Sequence, residues 1–330
     1  MQLLRSCENV PEELKGLVLA IGNFDGVHRG HQAVIGAAQK EAGERSVPSG
    51  VLTFEPHSRE FFAPDAPPIR LSTLDTRAAH LNWLGVDVMA ALTFDKEFSQ
   101  KTAEQFVKDV LVDGFNVSHV VVGYDFIFGH KRQGTTVILS ELGKKYGFGV
   151  TVVEPVGEET TIFSSTAIRK CLEAGDPATG ASLLGHWWEV DGVVVKGDQR
   201  GRTIGFPTAN VPITKYQQPK LGVYAVRVGL SEDDGTTSWV DGVANYGRRP
   251  TFDKADTLLE VHLLDFEGDL YGRYLHVAFV DFIRDEKKFS GLEALQEQIK
   301  RDEQFAREIL ARDDRRQDKY ADKKRGRKAS

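Results

Sequence analysis

The most informative stretch of the N-terminal half is Gly22-Asn23-Phe24-Asp25-Gly26-Val27-His28-Arg29-Gly30-His31. The apolar run at residues 17–21 precedes it and is typical of a buried strand. Residues 32–40 follow it and favour a helix. A turn from strand to helix leaves backbone N–H groups and the positive end of the helix dipole free to hold an anion. The stretch therefore predicts an anion site on a strand–turn–helix unit.

The residue types in this stretch favour a phosphate. Gly22, Gly26 and Gly30 allow the backbone to approach a ligand closely. His28 and His31 are three residues apart and share one face of the helix start. A chance pair of exposed histidines and a zinc site are the alternatives, but no cysteine or third ligand stands at zinc-like spacing.

The pattern His-x-Gly-His on such a turn resembles the nucleotidyltransferase superfamily. That resemblance implies that His28 and His31 contact nucleotide phosphates and stabilise the transition state of nucleotidyl transfer. Gly22, Asn23, Phe24 and Gly26 would complete the nucleotide-binding turn.

Composition places the chain among globular proteins. It has 330 residues, 41% of them hydrophobic and 27% charged, which suggests two domains of ordinary size. The net charge of −6 gives no reason to expect nucleic acid as a partner. Cys7 and Cys171 are the two cysteines, so no disulfide framework is implied and a reducing cytoplasm fits. The start lacks the pattern of a signal peptide, and no apolar run approaches the roughly 20 residues that span a bilayer.

The first half alternates apolar strands with helices, which predicts an α/β domain with a doubly wound parallel sheet that binds ligands at the carboxyl ends of its strands. The predicted strands are residues 17–21, 50–54, 86–93, 119–123 and 150–153, and the predicted helices are residues 32–42, 73–84, 103–111 and 138–146.

The second half reads as strands joined by turns, which predicts an antiparallel β-barrel with a terminal helix. The strands are residues 188–196, 223–230, 237–246, 257–266 and 274–283, and the helix is residues 291–311. Leu292, Leu295, Ile299, Ala306 and Ile309 recur near helical spacing and should face the barrel. A helical connector at residues 175–185 puts the boundary between domains 1–184 and 185–330.

Two further segments of the first half carry candidate ligand contacts. Ser164 or Ser165 can cap a helix that runs to Ala174, or these hydroxyls can hold a triphosphate together with Thr166 and Arg169. The loop Asp125-Phe126-Ile127-Phe128-Gly129 leaves a strand. Core packing or a planar ligand would explain its two phenylalanines equally well.

The string Gly201-Arg202-Thr203-Ile204-Gly205-Phe206-Pro207-Thr208-Ala209-Asn210 is the strongest feature of the second half. Its glycines make a loop that could cover phosphates. On an extended segment Thr208 and Asn210 point the same way, and their oxygens suit a magnesium ion carrying ATP phosphates. An ordinary turn around Pro207 is the alternative.

Glu260 lies inside the apolar strand 258–264. By alternation Leu259, Val261 and Leu263 face one side, and Glu260 and His262 face the other. A carboxylate at this place either faces solvent or acts as a general base toward a substrate hydroxyl, and the residues alone leave both readings open.

With both halves considered, the chain resembles the bifunctional riboflavin kinase/FAD synthetase family of bacteria over nearly its whole length. The resemblance rests on residues 22–31, 122–134, 163–169, 201–210, 247–252 and 282–289, and on Glu260. Phe163 stands where relatives usually have a smaller aliphatic residue, and Asp125 stands where some carry Asn.

The resemblance implies two magnesium-dependent reactions, with ATP as co-substrate and riboflavin, FMN and FAD as substrates and products. In the kinase, the residues that would bind ATP are Gly201, Gly205, Thr208 and Asn210, and the last two would also bind the metal. Glu260 would be the general base, and Arg284 would lie on the flavin side. In the adenylyltransferase, Ser164, Ser165, Thr166 and Arg169 would form the second nucleotide motif, and Asp125, Phe126, Phe128 and Gly129 would border flavin and nucleotide.

Two alternatives remain: an enzyme with one active module, or a flavin- or nucleotide-binding regulator. Complete motifs in both halves argue against a decayed module. A homo-oligomer is compatible with the sequence. The charged tail, residues 312–330, is expected to be a solubilising end rather than a contact for an acidic partner.

Overall fold

A computed structural model describes residues 1–158, 161–197, 205–231, 237–248 and 257–313. The chain divides into two compact units. The first contains Met1–Pro67 and Leu74–Ser164, and the second contains Pro68–Thr73 and the residues from Ser165 onward. The tail beyond Asp313 and Gly201 of the glycine loop lie outside the described residues.

The first unit is built on a parallel sheet, as predicted, and it has six strands where the sequence predicted five. Its strands lie in the order β1-β4-β3-β2-β5-β6, and every neighbouring pair is parallel. The strands are β1 Gln2–Leu4, β2 Val18–Ile21, β3 Ser49–Glu55, β4 Val88–Thr93, β5 His119–Gly123 and β6 Gly149–Val153. A short hairpin follows, with β7 Gly157–Glu158 and β8 Thr161–Ile162.

Helices connect these strands. They are α1 Arg29–Arg45, α2 Ser58–Phe62, α3 Leu74–Trp83, α4 Lys96–Ser99, α5 Ala103–Gln105, which continues as a π-helix at Phe106–Gly114, and α6 Thr136–Tyr146. The strands are apolar on both faces: Leu19 and Ile21 of β2 join one core cluster, while Val18 and Ala20 join the other. This two-sided burial is why the predicted strands read as continuous apolar runs.

Strand β2 lies at the point where the strand order reverses. Its neighbours are β3 on one side and β5 on the other. Open α/β sheets bind ligands in the crevice at the carboxyl end of such a strand. The stretch at residues 22–31 begins directly after β2, so it occupies that position.

The second unit is an antiparallel sheet that curls into a barrel, also as predicted. The strands are β9 Trp188–Val193, β10 Ala209–Val211, β11 Gly222–Ser231, β12 Thr237–Arg248, β13 Thr257–Leu263 and β14 Tyr274–Arg284. They lie in the order β10-β13-β12-β11-β14-β9. The N–H of Val195 donates to the carbonyl of Asn210 at 2.9 Å, which joins the segment after β9 to β10 at the other edge.

Three helices accompany this sheet: α7 Ser165–Ala174, α8 Pro177–Leu184 and α9 Leu292–Arg312. The helical connector expected at residues 175–185 is α8. The side chain of Asp176 caps its first turn, and Gly185 ends it in the left-handed conformation.

The terminal helix α9 packs on the outer face of the barrel, and its predicted apolar stripe is partly wrong. Ala306 and Ile309 belong to the cluster that contains Val223 and Val243 of the sheet, as expected. The side chain of Leu292 is 56% exposed, which shows that it does not face the barrel. Asp302, which the apolar stripe omitted, is only 2% exposed, since it forms an ion pair with a strand residue described below.

Candidate active sites

The turn after β2 has an unusual backbone. The φ angles of Phe24, Gly26 and Val27 are 49°, 79° and 43°. These values lie in the left-handed region, which residues other than glycine rarely adopt. Phe24 and Val27 are almost fully buried in the core, and the N–H of Val27 donates to the carbonyl of Phe24 at 3.1 Å. Core packing therefore holds the strained turn in one shape, as is common at functional sites.

His28 is the N-cap of helix α1. Its Nδ1 accepts a hydrogen bond from the backbone N–H of His31 at 3.2 Å. In the neutral ring this assignment puts the proton on Nε2, which makes Nε2 a donor. The His31 ring stacks on His28 with centroids 3.5 Å apart, and the edge of Phe24 lies against His31. The structure brings the two predicted histidines together and orders both rings.

Gly30 lies against the segment that carries the second predicted motif. A Cβ at Gly30 would be 3.0 Å from the carbonyl oxygen of Phe163 and 3.1 Å from the ring of His28. The guanidinium of Arg29 lies 4.5 Å from the centroid of the Phe163 ring and forms an ion pair with Glu158 at 2.6 Å. The aromatic ring at position 163 thus gives Arg29 a cation–π contact that a smaller aliphatic residue would not.

Two buried side chains, Thr53 and Arg77, hold the backbone of Asn23 through successive hydrogen bonds. The hydroxyl of Thr53 donates to the carbonyl of Asn23 at 3.0 Å, and the guanidinium of Arg77 donates to that hydroxyl at 3.2 Å. Arg77 is almost completely buried. The N–H of Gly22 donates to the carbonyl of Leu52 on β3. The start of the turn is therefore fixed to the neighbouring strand.

The predicted flavin loop follows β5 at its carboxyl end. Asp125 is exposed, and the rings of Phe126 and Phe128 stack with centroids 5.3 Å apart. Phe128 pairs with Gly134 through two backbone hydrogen bonds. Gly129 has φ 73°, and a Cβ there would lie 2.7 Å from the backbone nitrogen of Ala103, so the position requires glycine.

A cavity of about 250 Å³ lies beside this loop, and no sequence pattern predicts it. Four phenylalanines line it (Phe62, Phe94, Phe98 and Phe106), with Gly129 and the basic turn His130–Arg132 also among its lining residues. Phe62 is 68% exposed, which is unusual for so large an apolar side chain. The phenylalanines come from separate segments, so their spacing in the sequence gives no signal.

The second nucleotide motif spans the division between the two units. Ser164 ends the first unit, next to Phe163. Ser165, Thr166 and Arg169 lie on α7 in the second unit, where Nε of Arg169 donates to the carbonyl of Ile69 at 2.7 Å. Helix α7 ends at Ala174, as predicted.

The predicted kinase residues lie on neighbouring strands. Asn210 of β10 is directly opposite Glu260 of β13, and Glu260 is directly opposite Asn245 of β12. Paired residues of a sheet project from the same face, so the three side chains form one row. Leu259 and Val261 are buried in the barrel while Glu260 is only partly buried, which confirms the predicted alternation.

The side chain of Asn210 has a buried oxygen that suits a ligand. Its Oδ1 is buried and accepts no hydrogen bond from the described part of the chain. A buried amide oxygen without a donor costs free energy, roughly 1–3 kcal/mol, unless a ligand satisfies it. Thr208 precedes the strand and lines a second, smaller cavity together with Pro207 and Tyr271. Gly205 has φ 88°, with open space where a side chain would begin.

Arg284, predicted on the flavin side, is held firmly by helix α9. Its Nε and Nη2 donate to the carboxylate of Asp302 at 2.7–3.1 Å, and its Nη1 donates to the carbonyl of Asp285. Gln298 donates to the same carboxylate at 2.9 Å. This bidentate pair fixes the plane of the guanidinium.

Sequence reasoning missed Asn245 and Asp302 because their importance depends on pairing across the fold. Asn245 is a polar residue within an apolar strand, which was the available signal. Asp302 reads as part of a solvated helix face until its partner Arg284 is known.

The comparisons with known proteins agree with this geometry. The family model for FAD synthetase matches residues 10–167, and the family model for riboflavin kinase matches residues 184–310. A relative from Escherichia coli K12, a bifunctional riboflavin kinase/FMN adenylyltransferase, is 45% identical over 314 residues, covering 94% of this chain and 98% of the relative. A relative of the same description from Listeria monocytogenes is 38% identical, covering 89% and 93%.

A crystal structure described as a macrolide-efflux protein from Streptococcus pneumoniae has the same fold. It matches with a TM-score of 0.81 and 31% identity, over 92% of this chain and 98% of that chain. Within the described ranges, none of the helices has both the length and the apolar character needed to cross a membrane.

Both halves match a catalytic family, so nothing here favours a chain with one inactive module. The row of polar side chains on the barrel, the histidine turn after β2 and the full-length relatives lead to the same assignment. The chain belongs to the bifunctional riboflavin kinase/FMN adenylyltransferase family, enzymes that phosphorylate riboflavin to FMN with ATP and transfer an adenylyl group from ATP to FMN to give FAD.

Proposed function

We propose that residues 185–330 phosphorylate riboflavin and that residues 1–184 adenylylate the FMN so formed. In the first reaction the ribityl 5′-hydroxyl attacks the γ-phosphorus of ATP, giving FMN and ADP. In the second, the FMN phosphate attacks the α-phosphorus of another ATP, giving FAD and pyrophosphate. The boundary is supported by the riboflavin kinase family model, which begins at residue 184.

In the adenylyltransferase, His28 and His31 stabilise the charge that develops on the transferred phosphate. Nε2 of His28 is the donor, because Nδ1 is occupied by the backbone of His31. The dipole of α1 adds positive potential at the same place. The attacking FMN phosphate is already an anion, so this site needs no general base. Preorganised donors of this kind are commonly worth about 10²–10³ in rate each.

The remaining adenylyltransferase residues bind the substrates. Ser164, Ser165, Thr166 and Arg169 contact the nucleotide phosphates. The loop with Asp125, Phe126, Phe128 and Gly129 borders the flavin and the nucleotide. The phenylalanine-lined cavity beside Gly129 supports this assignment, because a planar aromatic ligand fits between rings and a basic rim suits its phosphate.

In the kinase, Glu260 takes the proton from the ribityl 5′-hydroxyl as that oxygen attacks. The observation that carries this assignment is the row Asn210–Glu260–Asn245 on one face of the barrel. Phosphoryl transfer depends mainly on positioning and charge neutralisation, with a carboxylate to orient the nucleophile. Arg284, fixed by Asp302, lies on the flavin side of the kinase.

Thr208 and Asn210 would hold a magnesium ion that accompanies the ATP phosphates, and Gly205 belongs to the segment that leads into Thr208. The buried Oδ1 of Asn210, which accepts no hydrogen bond from the residues that the structure describes, fits a hard cation that prefers oxygen ligands. When bound, the ion neutralises phosphate charge. Among the described residues no cluster of three His, Cys, Asp or Glu side chains could hold a metal, so this site relies on a hydroxyl and an amide.

The substrates fit a cytoplasmic biosynthetic enzyme that needs neither nucleic acid nor a membrane as a partner. The test is to assay Asn210→Ala and Thr208→Ala for FMN formation over a magnesium titration. We expect the magnesium concentration for half-maximal rate to rise at least about tenfold. An unchanged magnesium dependence in both variants would contradict the metal assignment.

A further inference from the structure

Both ring nitrogens of His262 on β13 face hydrogen-bond acceptors. Nδ1 donates to the carbonyl oxygen of Pro207 at 2.7 Å. Nε2 lies 3.0 Å from the carboxylate of Glu303 on α9. The carbonyl and the carboxylate are both acceptors, so each contact uses an N–H of the ring. His262 therefore links helix α9 to the segment just before Thr208.

A second contact reaches the same segment. The ring of Phe206 meets the ring of His262 edge to face, with centroids 5.8 Å apart. Ala209 pairs with Val261 in the β10–β13 ladder, so continuing that register by one residue puts Thr208 opposite His262. His262 thus touches both residues that lead into Thr208 and lies across from it.

Glu303 is carried by a part of α9 that is firmly packed. Ala306, three residues further on, and Leu310 are buried against the barrel. The preceding residue, Asp302, is fixed by its bidentate pair with Arg284. Glu303 consequently has little freedom to move away from His262, and both side chains are largely covered.

We infer that Glu303 is a positioning residue for the kinase: acting through His262, it holds the Pro207 carbonyl and so sets Thr208 for binding ATP with its metal. The inference rests on the proposed role of Thr208. By this inference the terminal helix does more than pack against the barrel, because it holds the segment before Thr208 that would bind ATP. Glu303 itself touches neither substrate.

The test measures kcat for FMN formation and KM for ATP and for riboflavin in the full-length enzyme, at saturating magnesium. Glu303→Ala should raise KM for ATP about tenfold, the effect of losing a charged hydrogen bond, with KM for riboflavin changed less than about twofold. Glu303→Gln should restore most of the affinity, because its amide oxygen still accepts from Nε2 of His262. Glu297→Ala is the matched control, an exposed carboxylate of the same helix that pairs with Arg301.

A double-mutant cycle separates this relay from a general loss of structure. Because Glu303 acts only through His262, Glu303→Ala combined with His262→Ala should bind ATP no more weakly than His262→Ala alone. FMN adenylylation by the same proteins serves as the folding control. Three results would overturn the inference about Glu303 and leave the proposed Thr208 site standing. They are additive effects of the two substitutions, equal increases in both KM values, and an unchanged KM for ATP in Glu303→Ala when Thr208→Ala is impaired. If Thr208→Ala is also silent, the proposed site falls with it.

Discussion

Asn210 and Glu260 lie directly opposite each other on β10 and β13, and this pair is fixed by backbone hydrogen bonds rather than by contacts between the side chains. The carbonyl of Asn210 also receives the N–H of Val195, so the residue stands where the barrel closes. The amide proposed to bind the metal and the carboxylate proposed as the base keep their separation in this arrangement without bonding to each other.

Replacing Glu260 should remove one activity and leave the other. Glu260→Gln keeps the size of the side chain but cannot accept a proton, so kcat for FMN formation should fall by about 10²–10⁴. Conversion of supplied FMN to FAD should continue at the normal rate. Products are followed by chromatography of the flavins. Glu267→Gln, an exposed carboxylate nearby in the chain, is the control, and near-normal kinase turnover in Glu260→Gln would refute the base assignment.

His28 caps helix α1, and we propose that it also binds phosphate; the two roles can be separated. His28→Ala removes both, whereas His28→Ser keeps a cap for helix α1 but has no imidazole to reach the phosphate. Both variants should accumulate FMN, with adenylylation reduced about 10²–10³-fold. The alanine variant should be less stable than the serine variant by about 1 kcal/mol in denaturant unfolding. Equal FAD formation by the serine variant and the unmodified enzyme would show that the imidazole is not needed.

Two glycines of helix α1 provide a matched pair. A Cβ at Gly30 would press on the Phe163 carbonyl and the His28 ring, whereas Gly36 has open space at that position. Gly30→Ala should therefore slow adenylylation at least about tenfold by displacing the histidine turn. Gly36→Ala should leave both activities intact and stabilise the helix by up to about 1 kcal/mol. Similar kinetics in the two variants would argue against a tight site at Gly30.

The stability of the first unit should depend on His119. Burial lowers the pKa of His119 below 6.5, and the nearby Arg45 lowers it further while Glu41 opposes the shift. Nδ1 accepts from Arg45 at 3.0 Å and Nε2 contacts the hydroxyl of Thr151 at 2.8 Å, an arrangement for the neutral ring.

Because the unfolded chain binds this proton more readily, the contribution of neutral His119 is complete above pH 6.5 and is lost as the pH falls through the folded pKa. His119→Gln should flatten the decline of the urea midpoint as the pH falls below 6.5. A steeper decline in the variant would contradict the sign of the shift.

The order of elements and the position of the histidine turn could be predicted from the sequence, because both depend on local patterns. Residues 119–123 form a strand with the predicted bounds, and α1 begins three residues earlier than predicted because His28 caps it. The alternation that sets Glu260 apart from Val261 follows from strand geometry alone.

The other features of the fold and of the site could not be predicted, because they depend on which strands pair and on how much of helix α9 contacts the barrel. Asn245 joins the site only through the register between β12 and β13, which no local pattern specifies. Helical periodicity places Leu292 on the apolar face, yet it does not indicate how far along the helix the barrel surface extends. The short strand β1 and the phenylalanine-lined cavity likewise arise from distant segments.

The most direct test of two separate catalytic centres mixes two full-length variants, each of which lacks one of the two activities. Glu260→Gln and His28→Ser proteins are each incubated with riboflavin, ATP and magnesium, and then together, with flavins separated by chromatography. The Glu260→Gln protein alone should leave riboflavin, the His28→Ser protein alone should stop at FMN, and the mixture should make FAD. FAD formation by either variant alone at the normal rate, or a mixture that stops at FMN, would contradict the account.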